Sequence, residues 1–291
     1  MKVILSQYAG FCDGVAGAYE KVKEIAGNPE TRKPIFVLGS LVHNNDVMGR
    51  VEEMGIKKID FAGSIGEVAD KITDKIGTLV ITAHGIGPRI FKIAKERGID
   101  VVDTTCPKVM KAQRLAKVFS DRGYQIIIIG EKKHKEVQGI LRWANKNAQV
   151  VSSREDIEEL NLDADKRIAV VSQTTQNKDL VDELAGFILK KYPEAEILDT
   201  VCMTTKNRQE EIRKIAREND AVFVIGAKES SNSNRLFEIA KSINDKSYFI
   251  ERLTDIKKEW LNGVRSVGVT AGASSPQWVI DEVVEYFRLV K

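Results

Sequence analysis

Apolar residues in this chain alternate between two periods. Uninterrupted runs of four or five come first: Ile35-Phe36-Val37-Leu38, Ile126-Ile127-Ile128-Ile129 and Ala221-Val222-Phe223-Val224-Ile225, each closed by a glycine (Gly39, Gly130, Gly226). Such runs suit strands buried on both faces of a parallel sheet. Between them, apolar residues recur every three or four positions. Val15, Ala18, Val22 and Ile25 form one such stripe, Val109, Ala112, Leu115 and Ala116 a second, and Ile212, Ile215 and Ala216 a third. This period predicts amphipathic helices. Strand and helix alternate along the chain, which predicts an α/β fold with mostly parallel sheets.

The pattern repeats three times. Cys12, Cys106 and Cys202 are 94 and 96 residues apart. Val101-Val102-Asp103-Thr104-Thr105-Cys106 parallels Ile197-Leu198-Asp199-Thr200-Val201-Cys202, so a strand is expected to end at each of these cysteines and a helix to follow. After the next strand come polar loops at His43, His134 and Ser230, which lie 31, 28 and 28 residues beyond their cysteines. A later strand leads to His84, Thr174 and Ser274, at offsets of 72, 68 and 72. The expectation is three similar α/β lobes, 13–102, 103–198 and 199–291, around a pseudo-threefold axis. The last would be completed by a strand from 1–12. In open parallel sheets ligands bind at the carboxyl ends of strands. Three lobes would therefore turn three cysteines and six polar loops towards one centre.

Composition narrows the class. With 291 residues and 43% apolar content the chain can bury substantial cores. Its net charge of +3 comes from interleaved acidic and basic residues, so no nucleic-acid footprint is expected. No apolar stretch has the length of a membrane span, and the opening run is too short for a signal peptide. A cytoplasmic protein is expected, with three thiols that cannot all pair.

A lone cysteine is usually a small buried hydrophobe. Three in one repeated slot point instead to soft-metal ligation by zinc, copper(I) or an iron–sulfur cluster. The close Cys pairs of structural zinc and the tight spacings of ferredoxins are absent. One cysteine per lobe suits a [4Fe–4S] cluster with three irons held and one open.

The polar loops carry the remaining chemistry. The three histidines, His43, His84 and His134, all fall in strand-end slots. Ser230, Ser231, Asn232 and Ser274, together with Thr174, precede helical patterns. Ordinary helix capping explains part of this, and several converging helix N-termini also suit a diphosphate. Pro276 is expected at the first position of the last helix. Glu136, beside His134, is a candidate proton donor. No Walker motif occurs, and Gly85-Ile86-Gly87 lacks the last glycine of a dinucleotide fingerprint, so neither ATP nor a nicotinamide cofactor is supported.

Taken in order, these motifs resemble a known family. They include Gly10-Phe11-Cys12-Asp13-Gly14-Val15, Ala83-His84-Gly85-Ile86, Asp103-Thr104-Thr105-Cys106-Pro107, His134-Lys135-Glu136-Val137-Gln138-Gly139, Gln173-Thr174-Thr175, Asn207-Arg208-Gln209 and Ser230-Ser231-Asn232-Ser233-Asn234. The family is that of the 4-hydroxy-3-methylbut-2-enyl diphosphate reductases, the last enzymes of the methylerythritol phosphate route to isoprenoids. The resemblance implies a [4Fe–4S] cluster on Cys12, Cys106 and Cys202. It implies that His43, His84, His134, Ser230, Ser231, Asn232 and Ser274 hold an allylic diphosphate, and that Glu136, His134 and Thr174 serve its hydroxyl. Products would be isopentenyl and dimethylallyl diphosphate. Electrons would come from an external one-electron donor such as ferredoxin or flavodoxin. Two positions depart from the family pattern. Lys135 replaces a proline, which could loosen the loop, and Gly17 stands where arginine is common. A non-redox iron–sulfur hydro-lyase and a metal-binding sensor or structural zinc protein are the alternatives.

Overall fold

The computed structural model describes residues 1–60, 65–145, 148–163 and 165–290. Position 291, the end of the third expected lobe, lies outside them. The described strands, numbered along the chain, form three four-stranded sheets, every pairing parallel. The contacts divide the chain into two compact units.

Unit one comprises 1–16, 43–47 and 202–291. Its sheet contains β1 (Lys2–Leu5), β10 (Ala221–Ile225), β11 (Ser247–Ile250) and β12 (Ser266–Ala271), in the order β1-β12-β10-β11. The amino-terminal strand does pair with the last strand, Val3 against Val267 and Leu5 against Val269. Alternate residues of β10 enter different cores. Ala221, Phe223 and Ile225 pack on one face with Phe287, while Val222 and Val224 pack on the other with Ile212 and Leu236. Burial on both faces is why the run shows no polar alternation. Phe223 and Phe287 meet at 4.5 Å between ring centroids, and truncating Phe223 to alanine would cost about 3–5 kcal/mol.

Unit two comprises 17–42 and 48–201 and carries two sheets. One contains β2 (Ile35–Leu38), β3 (Lys57–Ile59), β4 (Thr78–Ile81) and β5 (Asp100–Asp103), in the order β3-β2-β4-β5. The other contains β6 (Gln125–Ile129), β7 (Ala148–Val151), β8 (Ile168–Ser172) and β9 (Glu196–Ile197), in the order β7-β6-β8-β9. Strand β6 divides its side chains between two cores as β10 does: Ile127 and Ile129 on one face, Ile126 and Ile128 on the other.

Two local expectations are corrected. The strands before Cys106 and Cys202 end at Asp103 and Ile197, not at the cysteines. A side-chain turn intervenes in both places: Asp103 Oδ1 accepts from the Thr105 N–H at 2.9 Å, and Asp199 Oδ1 from the Val201 N–H at 3.2 Å. An aspartate that binds the backbone two residues on competes with the strand ladder. Pro276 is the N-cap of the last helix, α11 (Gln277–Leu289), rather than its first residue, and its ψ of 152° is extended. Among the described residues no helix is long and apolar enough to cross a membrane.

Candidate functional site

All three cysteines start a helix in the same way. Helices α1 (Asp13–Gly27), α5 (Pro107–Asp121) and α9 (Met203–Glu218) each begin one residue after a cysteine. The cysteine carbonyls accept the first helical bonds: Cys12 from the Ala16 N–H at 2.8 Å, Cys106 from Met110 at 2.9 Å and Cys202 from Lys206 at 3.0 Å. Neither Cys106 nor Cys202 spends its sulfur on capping, and none of the three is in a disulfide. A helix N-terminus favours negative charge, so each thiol stands where a metal-bound thiolate is stabilised.

Within unit one, Cys12 and Cys202 share a cationic neighbour. Arg208 of α9 is 3% exposed, and its guanidinium donates to the Ala271 carbonyl at 2.8 Å and the Gly10 carbonyl at 2.7 Å. Burial lowers its pKa, while the charges of Cys12, Glu211 and Cys202 pull it back up. Its Nε is buried with no hydrogen-bond partner. A buried cation with an unspent donor beside two thiols suits an anionic metal–thiolate group. The three thiols and Arg208 therefore fit an iron–sulfur cluster in chemistry. Among the described residues, no three His, Cys, Asp or Glu side chains gather into a site for a single metal ion.

Unit one also holds the polar helix start. Helix α10 (Ser231–Lys241) is capped by Ser230, whose Oγ accepts from the Ser233 N–H at 3.3 Å and the Ser233 hydroxyl at 2.9 Å. Capping thus takes part of Ser230's capacity. Ser274 Oγ donates to the His43 carbonyl at 3.1 Å and lies 3.5 Å from Ser230 Oγ, which brings three expected residues together. Ser231 and Asn232 are buried in the first turn of α10. Asn232 is 4% exposed and its Nδ2 lacks a partner. A buried, unsatisfied amide costs about 1–3 kcal/mol, and an anion at this helix start would recover that cost. Two glycines make the approach possible. A Cβ on Gly226 would stand 2.3 Å from Ser233 Oγ, and one on Gly272 1.9 Å from it.

Unit two holds the acid. Helix α6 (Lys135–Trp143) is capped by His134, whose Nδ1 accepts from the Glu136 N–H at 3.3 Å. Burial lowers the His134 pKa, Glu131 raises it and Lys135 lowers it further. The ring is therefore neutral at pH 7, with its proton on Nε2 as a donor. The His84 and His134 rings meet edge to face at 6.0 Å, and His84 Nδ1 is 3.5 Å from Thr82 Oγ1.

Glu136, 2% exposed, receives the Thr174 N–H at 2.6 Å and the Thr174 hydroxyl at 3.1 Å, one on each carboxyl oxygen. Burial pushes its pKa up to about 7, against the lowering effect of the two Thr174 bonds. A carboxyl that gains and loses its proton near neutrality is suited to general acid chemistry. Lys135 occupies the first position of α6, where proline is favoured. The helix nevertheless starts there, because His134 satisfies the Glu136 N–H. Gly17 faces open space, so a longer side chain would be accommodated.

Two residues escaped sequence reasoning as individuals. Arg208 was visible only within a motif. Gln113 lies on the apolar stripe of α5 with Val109, Ala112 and Ala116. Its Nε2 would be 2.4 Å from a Cβ on Gly85 and 2.9 Å from one on Gly139. Two missing side chains thus admit one buried amide between the His84 loop and the helix of Glu136. A polar residue on an apolar stripe was the available signal.

Parallel sheets, thiols at helix N-termini and a buried, easily protonated carboxyl mark an α/β enzyme. The chain belongs to the LytB protein family, whose sequence profile matches residues 3–288. It is 39% identical over 289 residues to a 4-hydroxy-3-methylbut-2-enyl diphosphate reductase of Halalkalibacterium halodurans, covering 99% of this chain and 91% of that one. It is 36% identical over 291 residues to the enzyme of the same name from Symbiobacterium thermophilum, covering 99% and 97%. Among solved structures, the E-1-hydroxy-2-methyl-but-2-enyl-4-diphosphate reductase of Plasmodium falciparum superposes with a TM-score of 0.89 at 30% identity, over 99% of this chain and 87% of that one.

Proposed function

We propose that this chain reductively removes the hydroxyl of (E)-4-hydroxy-3-methylbut-2-enyl diphosphate to give isopentenyl and dimethylallyl diphosphate. The observation that carries the reading is Glu136, a buried carboxyl of raised pKa clasped by Thr174 in a chain of this family.

The family is one of iron–sulfur oxidoreductases. Here Cys12, Cys106 and Cys202 would hold a [4Fe–4S] cluster. Such a cluster, when bound, supplies electrons one at a time and a Lewis-acidic iron. The chain's own residues do the rest. Glu136 gives a proton to the departing hydroxyl, so that water leaves. Thr174 holds both carboxyl oxygens and orients the proton. Neutral His134, and His84 beside it, donate to anionic oxygens. Ser230, Ser231, Asn232 and Ser274, with His43, receive the diphosphate at the start of α10, where the helix dipole favours negative charge. This reading takes the lobe boundaries as 13–102, 103–198 and 199–291 with 1–12. It places the protein in the cytoplasm with an external one-electron donor such as ferredoxin or flavodoxin.

The test is an anaerobic assay of iron-reconstituted protein with a chemical reductant and the hydroxylated allylic diphosphate, followed by product analysis. Formation of both isomeric diphosphates, dependent on reductant, supports the reading. Dehydration without reductant would favour the hydro-lyase alternative. A colourless protein, purified without air and holding zinc but no iron, would overturn both.

A further inference from the structure

Unit two contains a cavity of about 680 Å³ that the reading above does not use. That volume lies within the range of small-molecule sites, about 300–1,000 Å³. Its charge is one-sided. Lys132 and Lys133 stand exposed at its edge, and Lys135 and Arg142 line it half-buried. Among the described residues no carboxylate lines it. Its remaining wall is mixed: Leu38 and Ile81 at the ends of β2 and β4 and Ile86 in the loop that follows β4 form an apolar strip, beside Thr82, Gly85 and Gln138.

Two of the four cations, Arg142 and Lys135, are partly desolvated. Burial lowers the pKa of Arg142, with no carboxylate offsetting the effect. Burial likewise lowers that of Lys135, helped by Lys58 and opposed only by Asp60. Gathering like charges out of water is unfavourable unless an anion joins them.

We propose that the cavity is a second anion site, separate from the start of α10, and that it takes a diphosphate carrying an apolar tail longer than five carbons. Four cations match a multiply charged head better than a carboxylate would. The apolar strip gives a tail a surface to cover, which a bare phosphate cannot use. The chemistry is that of the prenyl diphosphates formed when allylic diphosphates condense with their isomers. The site shares its walls with the acid-bearing loops: Gly85 follows His84, and Lys135 lies between His134 and Glu136. Trp143 Nε1 donates to the Ile86 carbonyl at 2.9 Å and ties α6 to the same wall.

The test is calorimetric titration of the anaerobic, iron-reconstituted full chain, without reductant, using geranyl diphosphate, inorganic diphosphate and geraniol as probes. Geranyl diphosphate should bind about tenfold or more tighter than either partial probe, because head and tail both contribute. The double substitution Lys132→Ala/Lys133→Ala should weaken it by about tenfold and leave the C5 hydroxylated diphosphate's affinity within about twofold, since neither lysine is among the residues assigned to that substrate. Ser230→Ala/Asn232→Ala should do the reverse. Geranyl affinity indifferent to the lysine pair, or geranyl diphosphate displaced competitively by the C5 compound, would overturn the second site. Equal affinity for inorganic diphosphate would overturn the tail. Failure of the C5 compound to bind at all is scored by its own titration and counts against the reductase reading alone.

Discussion

Replacing Glu136 by glutamine tests the proton donor most directly. The two side chains have nearly the same volume, and the amide can keep both contacts. Its carbonyl can accept the Thr174 N–H, and its NH₂ can donate to the Thr174 hydroxyl, which now accepts. Folding and cluster assembly should therefore survive. Burial raises the carboxyl pKa from 4.5 to about 7, so near neutrality about half of the molecules carry the proton. At the ordinary value only roughly 0.3% would carry it at pH 7. Glutamine delivers no proton at any pH, and positioned general acids contribute about 10²–10⁴ in rate. Turnover under excess reductant should fall at least a hundredfold, the lower end of that range, while added substrate still perturbs the cluster spectrum. The wild-type rate should decline as pH rises through about 7, as the acid loses its proton, and the variant should lack this limb. Stability gives an independent reading. A carboxyl whose folded pKa is raised contributes stability that is present below pH 4.5 and lost as pH rises through about 7. The loss is about 3 kcal/mol. Glutamine does not titrate, so the variant's Tm should change less between pH 5 and pH 8. Near-normal turnover with an unchanged alkaline limb would refute the reasoning and remove Glu136 from the proton path.

Thr174→Val deletes the hydroxyl bond that lowers the Glu136 pKa but keeps the backbone one, so the alkaline limb should move to higher pH; a stationary limb would deny the coupling. Ser230→Ala, Asn232→Ala and Ser274→Ala should each weaken substrate binding by about 1.5–3 kcal/mol and leave cluster absorbance unchanged. Unchanged affinity in all three would place the diphosphate elsewhere. Arg208→Gln removes the buried charge beside Cys12 and Cys202, so the cluster's reduction midpoint, measured by voltammetry, should move negative. Cys12→Ser, Cys106→Ser and Cys202→Ser should each lose iron and useful turnover. Full iron content at wild-type rate in any one of them would end the three-thiolate account.

The legible part of the fold is the part buried on both faces. Strands β2, β6 and β10 announce themselves because each is an unbroken apolar run. The edge strands β3, β7 and β11 do not. Lys57-Lys58-Ile59 carries two exposed lysines, as suits a sheet edge, and Ser247–Ile250 is only partly buried. Their sequences say little because their environment asks for little. The strand ends were misplaced at Cys106 and Cys202 because β-branched residues follow Asp103 and Asp199, and only the aspartate side-chain bonds show the turn. Repetition made the cysteine slots and the strand-end loops readable, and in each unit the structure adds contacts no repeat could supply. Glu136 could be singled out by position, but its raised pKa depends on burial by residues distant in sequence.

The cysteine slot shows why helix starts recur where thiolates are wanted. An N-cap residue leaves helical backbone geometry while its carbonyl already belongs to the helix, so its Cα is fixed and its side chain is released from the helical stripe. The slot places a sulfur against the positive end of the helix dipole without requiring a side-chain cap. It also makes the serine variants informative. Serine is among the preferred N-caps, and such caps typically contribute about 1 kcal/mol to helix stability. Cys106→Ser and Cys202→Ser should therefore leave α5 and α9 as stable as before, or more so. Iron loss from a serine variant whose helical signal and apo-protein Tm are undiminished then reports on ligation by that sulfur. Iron loss accompanied by a falling Tm of the apo-protein would mean that the cysteine was serving the fold.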